Sequence, residues 1–338
     1  MRALVWNGPY SMGTAEVEEP VAIGGEALVA VSMAGICGSD ITAYKGIMGI
    51  SAPGSVRGHE FAGVVIAVGD PADARWVGER VSVNPVVSCG TCWACLSSRD
   101  NLCPRLQLVG VHRPGGFAER VSVPVRNLGL VNAELSWEAA ASAEPLAQAC
   151  HDMSIALQGE LVDNVLVIGA GSIGHFVVAA AHLSGVAEIT VIDPNPDRRD
   201  AAIAVGAARA FASTDEAIHH AKKLERGGFD AVFDVVGAQA TREASVDLAR
   251  NGGAIIMVGL HTDRTEFPWF TLSRREISVT GSNCFTRGEF ATALSWLNTG
   301  RVALTGSSSA GPLDEGPALF AAIADGASTV GKTYLLPA

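Results

Sequence analysis

A chain of 338 residues exceeds the roughly 250–300 at which one hydrophobic core stops growing, so two domains are expected. Hydrophobic residues make up 48% and charged residues 17%, which excludes a disordered chain. The net charge of -11, with no basic stripe to offset it, excludes a nucleic-acid partner.

The opening residues, MRALVWNGPYSMG, hold one arginine and too short an apolar run for a secretion signal. The longest apolar stretch, residues 165–186, contains His175, His182 and three glycines near its start. It reads as strand, turn and helix rather than as a membrane span. A soluble, cytoplasmic protein without a membrane partner is the expectation.

Across the first 145 residues, β-like runs at 3–6, 26–32, 61–68, 79–83 and 117–123 are separated by glycine and proline turns. This suits an irregular antiparallel barrel or sandwich. Loops bearing thiols and imidazoles interrupt it. The first is Gly35-Ile-Cys37-Gly-Ser39-Asp40, the second Gly58-His59-Glu60, and Ala143-Glu144-Pro145 closes the region. One thiol, one imidazole and carboxylates form a mixed donor set suited to a reactive zinc with an exchangeable position. Taken singly, each also fits a structural role: Cys37 as a small buried residue, His59 as a satisfied loop histidine, Glu144 as an acid at a helix start.

The seven cysteines are odd in number and locally clustered, which disfavours a disulfide framework. Cys89, Cys92, Cys95 and Cys103 are spaced C-x2-C-x2-C-x7-C. A ferredoxin-type cluster would need a gap of about three before the final Cys-Pro and a second motif, so four thiolates around a structural zinc are expected. Cys150 and Cys284 read as buried thiols.

From residue 147 helical stretches alternate with fully apolar strands at 165–168, 188–192, 208–211, 231–236, 254–258 and 277–280. Helices are expected near 173–183, 196–205, 214–224 and 240–249. Six such strands predict a doubly wound parallel sheet of α/β class. The first strand runs into Gly169-Ala-Gly171-Ser172-Ile173-Gly174, a G-x-G-x-x-G at a strand-to-helix turn. Gly169 allows the tight turn, Gly171 lets a pyrophosphate approach the backbone, and Gly174 lets helix and strand pack closely. Asp193, 19 residues beyond Gly174 at the tip of the second strand, is placed to accept ribose hydroxyls and repel a 2′-phosphate, which favours NAD. Arg198 could cover the adenosine side, and Arg199 leaves some NADP tolerance open. The tail offers one helical run at 288–297 and a closing strand at 333–336.

These residues together resemble the zinc-dependent medium-chain alcohol dehydrogenases, especially the sorbitol, polyol and threonine dehydrogenase branch. The GICGSD, GHE, four-cysteine, EPLA, glycine-turn and GKTYLLP runs carry the resemblance over nearly the whole chain. It implies a GroES-like catalytic domain over 1–145, completed by 287–338, and a Rossmann NAD-binding domain over 146–286. It implies a catalytic zinc held by Cys37 and His59, with Glu60 and Glu144 as further ligands, direct or through water, and a second, structural zinc. Further cofactor contacts are implied for Val236, Val258, Leu260 and Ser282. Trp93, Tyr44, Asn283 and Phe285 are candidates to line a substrate pocket. A homo-oligomer, a tetramer before a dimer, is also implied.

The activity expected is reversible oxidation of a secondary alcohol or polyol to a ketone, with Ser39 passing the proton and NAD taking the hydride. Family members often carry a histidine five residues after the zinc cysteine, where this chain has Thr42, so the outer end of the proton relay is open. A zinc-free quinone or enoyl reductase, and a non-catalytic cofactor sensor, are the competing readings of the same scaffold.

Overall fold

The apolar runs of the second half are buried on both faces at the centre of the sheet, as strands covered by helices on either side must be, whereas the last, Ser278–Gly281, is exposed along its length. In this computed structural model, which describes residues 1–47, 52–158, 161–304, 308–326 and 331–337, they form one six-stranded parallel sheet. Its order is Arg209–Phe211, Glu188–Ile192, Asn164–Ile168, Phe229–Asp234, Ala249–Met257 and Ser278–Gly281. The chain starts in the middle, winds to one edge, then returns past its start to the other. That reversal beside Asn164–Ile168 is the switch point of a Rossmann sheet. Two strands are shifted by more than one residue: that expected at 231–236 runs Phe229–Asp234, and that expected at 254–258 begins at Ala249.

Caps fix the helices. Helix Ser172–Leu183 starts directly after Gly171. Asn195 caps helix Pro196–Ala204, its side chain accepting from the Asp197 and Arg198 amides. Ser213 caps Thr214–Ala221 by accepting from Glu216 N. This unit spans Gln148–Cys284 and packs Leu166, Val232, Phe229 and Ile255 in its core.

The other unit comprises Met1–Ala147 and Phe285–Ala338. Its main sheet runs Leu128–Leu130, Arg80–Val83, Glu60–Val68, Glu26–Gly35, Thr333–Leu336 and Ser309–Pro312. Strand Arg120–Pro124 pairs onto Glu26–Gly35 as well. The strand expected from residue 117 therefore begins three residues later. Phe117 instead bonds across to the backbone, donating to Arg57 O and accepting from Leu4 N, while its ring is fully buried. The closing strand Thr333–Leu336 lies antiparallel to Glu26–Gly35, with Tyr334 opposite Gly35. In the core Phe117 meets Phe320 edge to face and Tyr44 meets it tilted, each ring contributing about 1.5–3 kcal/mol by burial. No helix among the described residues is long and apolar enough to cross a membrane.

Candidate active site

Sheet register assembles the mixed donor set. Cys37 follows the end of strand Glu26–Gly35 and is the N-cap of helix Gly38–Tyr44, its amide donating to Asp40 Oδ2 at 3.1 Å. Glu60 opens the neighbouring strand directly opposite Gly35, which brings His59 and Glu60 back to Cys37. One donor atom from each of Cys37, His59 and Glu60 lies within 4.8 Å of the others. Gly35 leaves the room: a Cβ there would overlap the Glu60 carboxylate and come within 2.6 Å of Lys332 Cε.

The imidazole is oriented from both sides. Nε2 of His59 lies 3.5 Å from Ser39 Oγ, and Nδ1 faces Asp40 Oδ1 at 3.7 Å. Asp40, fully buried, also accepts from Arg57 Nε at 3.2 Å, and Arg57 is 1% exposed. At 3.7 Å the carboxylate does not hydrogen-bond Nδ1, but it stands on the side of the ring where a metal-ligating imidazole usually has its carboxylate partner.

Charge in this cluster is crowded. Burial, then the nearby Glu60 carboxylate, pushes the Cys37 thiol up to about 12. Burial, partly offset by His59, pushes Glu144 up to about 8, with Glu60 and Cys37 adding to the rise. Lys332 forms an ion pair with Glu60 and donates to Ile36 O at 3.3 Å. Burial works against the charged lysine, but Glu60 outweighs it and holds the ammonium above the ordinary range. Buried His59 Nδ1 and Glu60 Oε1 have no hydrogen-bond partner. A thiol, an imidazole and acids gathered around so little positive charge fit a divalent cation, whose field favours their deprotonated forms.

The four-cysteine loop is a second donor set, with all four sulfurs within 4.8 Å of one another. Cys89 and Cys95 sulfurs are 3.8 Å apart and those of Cys92 and Cys95 are 3.5 Å apart. A tetrahedron of sulfurs about 2.3 Å from zinc has edges of about 3.8 Å, so the loop is close to ligating geometry. Backbone amides point at the sulfurs: Thr91 N to Cys89, and both Cys89 N and Arg105 N to Cys103. The Thr91 amide is the main reason that the Cys89 thiol is drawn down to about 5.

In the parallel sheet, Gly169 adopts φ +96, which favours glycine, and opens the turn. A Cβ on Gly174 would overlap the carbonyl oxygen of Gly169, whereas one on Gly171 would meet nothing within 4 Å. The turn is thus tight below and open above, with the amides of Ser172 and Ile173 in the first helical turn, which fits a pyrophosphate. Asp193 is 3% exposed, its Oδ2 accepting from Ala170 N at 2.8 Å and its Oδ1 from Asn195 N at 2.8 Å. Arg198 Nη1 stands 3.7 Å from the same carboxylate, while Arg199 donates to the Asp193 and Pro194 carbonyls. Val236, half-buried Val258, exposed Leu260 and Ser282 follow the carboxyl ends of the last three strands.

Residues 24–133 match the alcohol dehydrogenase GroES-like domain family and residues 172–299 the zinc-binding dehydrogenase family. The L-galactonate-5-dehydrogenase of Escherichia coli is 33% identical over 295 residues, 86% of this chain and 85% of its own. The crystal structure of L-idonate 5-dehydrogenase from Escherichia coli superposes with a TM-score of 0.88 at 30% identity, covering 99% of this chain and 97% of that one. An Escherichia coli alcohol dehydrogenase, RspB, solved with NADH, superposes with a TM-score of 0.88 at 28% identity, covering 99% of each chain. The chain belongs to the zinc-dependent medium-chain alcohol dehydrogenases. It is a zinc-containing oxidoreductase that transfers hydride between an alcohol and NAD.

Two expected pocket residues of this dehydrogenase sit in the core instead. Tyr44 is buried against Tyr10 and Phe320, and Phe285 is buried and stacked on Phe290, so both belong to the core. Trp93 is 63% exposed and Asn283 is exposed. Cys150 is buried as expected, but Cys284 is only half-buried, with φ 52. Thr42 donates to Gly38 O within its own helix at 3.1 Å, a bond that leads away from Ser39. Sequence reasoning missed Lys332 and Arg57, the two cations beside the mixed donor set. The signal for Lys332 was present in the GKTYLLP run, whose lysine lies immediately before the closing strand.

Proposed function

We propose that this dehydrogenase oxidises a secondary hydroxyl of a sugar acid or polyol to the ketone, with Cys37, His59 and Glu60 holding the catalytic zinc. The observation that carries the reading is the convergence of these three donors within 4.8 Å in one buried cluster. Glu144, whose carboxyl is pushed up to about 8 by burial, lies outside this group of three and is the further ligand, direct or through water. Zinc bound there would supply a Lewis acid that makes a hydroxyl more acidic. Ser39 Oγ, beside His59 Nε2, receives the hydroxyl proton. Asp40 and Arg57 keep the His59 ring turned so that Nε2 faces the open side. Cys89, Cys92, Cys95 and Cys103 hold the structural zinc. In the sheet unit, the glycine turn receives the NAD pyrophosphate, and Asp193 receives the adenosine ribose with lone pairs that its two backbone bonds leave over. The two units act as catalytic and cofactor domains.

The substrate class rests on the two relatives whose names state a sugar acid, L-galactonate and L-idonate. The test is NADH formation by zinc-replete protein across aldonates, alditols, L-threonine and primary alcohols. Turnover of aldonates or alditols is the expected result. No NADH from any secondary alcohol would overturn the reading.

The same reading includes a homo-oligomer in the cytoplasm, a tetramer by likeness to the polyol branch. Strand Ser278–Gly281 is an exposed edge of the parallel sheet, and Trp269 and Phe270 are 72% and 83% exposed, features that a second copy would cover. Four cysteines kept as metal thiolates suit a reducing compartment. Light scattering of the purified enzyme tests the assembly.

A further inference from the structure

The closing strand Thr333–Leu336 holds the surroundings of the mixed donor set at two points. At the first, Thr333 O accepts from Ile36 N at 2.9 Å, which fixes the residue before Cys37. At the second, Tyr334 carries its phenol to the joint between two helices. Tyr334 is 1% exposed, and its hydroxyl lies 2.8 Å from Ser142 Oγ and 3.3 Å from Glu138 O. Ser142, fully buried, is the C-cap of helix Trp137–Ala141. Its carbonyl accepts from Leu146 N in the first turn of helix Ala143–Ala156, the turn that carries Glu144.

The direction of these bonds follows from a count of protons. Each hydroxyl has one proton and two lone pairs, and a carbonyl only accepts. Ser142 Oγ lies 2.8 Å from Glu138 O, closer than the Tyr334 hydroxyl does. Ser142 therefore donates to Glu138 O, and Tyr334 donates to Ser142. Both protons are used, so the phenol is tied to the joint by a directed bond from outside either helix.

Glu144 depends on that joint. Its carboxyl is close enough to feel His59, Glu60 and Cys37, yet it lies outside the group whose donor atoms fall within 4.8 Å. A carboxylate just outside a donor set is brought in or kept out by small movements of the turn that bears it. The strand that fixes Ile36 beside Cys37 also fixes, through Tyr334 and Ser142, the turn of Glu144. We infer that Tyr334 is a positioning residue that sets the reach of Glu144 toward the metal of the mixed site. The inference rests on the reading of Cys37, His59 and Glu60 as that site.

The test is competition for zinc between the purified protein and a chromophoric chelator, the mixed site being the ion that His59→Ala lacks. Tyr334→Phe keeps the ring and loses the hydroxyl. It should weaken the hold on that zinc by about 10-fold, the lower end of what outer partners of a metal ligand contribute. Ser142→Ala should do the same. In a Glu144→Ala background, itself weakened, Tyr334→Phe should cost nothing further, because its effect passes through that carboxylate. A merely structural role would lower the thermal midpoint in both backgrounds alike and leave zinc affinity unmoved. Wild-type zinc affinity in either Tyr334→Phe or Ser142→Ala, or an equal loss with and without Glu144, would overturn the inference alone. A His59→Ala protein that keeps all the zinc of wild type would overturn the mixed site and this inference with it.

Discussion

Lys332 and Glu60 form an ion pair closed off from solvent on both sides, their side chains 5% and 0% exposed. The pair joins the residue just before the closing strand to the first residue of strand Glu60–Val68, and Gly35 lies between them. Removing one partner of such a pair leaves an uncompensated buried charge, at a cost of about 3–5 kcal/mol. Lys332→Met should therefore lower the thermal midpoint sharply, and adding Glu60→Gln should recover part of the loss. A Lys332→Met protein as stable as wild type would show that the pair is not holding this corner. Because Lys332 is held above its ordinary value, its contribution is complete below the unfolded lysine pKa and is lost as pH rises through the folded one.

The two metal sites should fail in different ways. Around Cys37 and His59 the sheet is already fixed by backbone pairing, so Cys37→Ala or His59→Ala should abolish turnover in a folded protein that still binds NADH. The loop of Cys89–Cys103 presents exposed Trp93 and Leu96 and has little buried surface of its own. Cys92→Ala or Cys103→Ala should lower thermal stability, because metal binding there contributes folding free energy. Metal analysis should find about two zinc ions per subunit in wild type and about one in either class of variant.

Ser39→Ala should retain zinc and NADH affinity and lose about 10²–10⁴-fold in kcat, the usual worth of a positioned proton acceptor. Since Thr42 is bonded back to Gly38 O, Thr42→Val should leave kcat nearly unchanged. Steady-state kinetics on both variants separates the two hydroxyls.

Asp193 does two tasks at once. Its carboxylate ties Ala170 in the glycine turn to Asn195 before the next helix. Asp193→Ser should weaken NAD binding through both the ribose and the turn, while Arg198 becomes available to a 2′-phosphate. The ratio of NADP to NAD use should rise, and an unchanged ratio would remove Asp193 from the ribose site.

Asp230 offers a pH test. Although burial opposes its ionisation, bonds from Arg250, Arg226 and the Asp163 and Asn164 amides hold its carboxyl below the ordinary value. The folded protein thus binds this proton less readily than the unfolded chain. The stabilisation is complete above the unfolded aspartate pKa of about 4 and is lost as pH falls through the folded one. Asp230→Asn should be less stable than wild type at neutral pH, with the gap narrowing in acid, as thermal melts across pH would show.

The parallel sheet was legible because strands buried on both faces are written as unbroken apolar runs; Glu188–Ile192 has the bounds expected from the sequence. The two donor clusters were legible because their residue types are rare together. Helix Gly316–Ala324 and strand Ser309–Pro312 escaped, the first being short and begun by Gly-Pro, the second made of small residues without alternation. Arg57 and Lys332 escaped for another reason. A buried cation is recognised only by its partner, and the partner of Lys332 is remote in sequence and supplied by register.

The closing strand Thr333–Leu336 also sets an order of events during synthesis. Residues 148–284 form an uninterrupted unit and can close as soon as they leave the ribosome. The sheet that carries Cys37, His59 and Glu60 is made first yet lacks an inner strand and its buried lysine until residues 332–336 have emerged. In a growing chain the cofactor-binding half is therefore mature while the metal-binding half still waits with an open seam and an uncompensated carboxylate. Stalled or prematurely released chains should accumulate in that half-built form, competent for a nucleotide and exposed to aggregation along the missing strand.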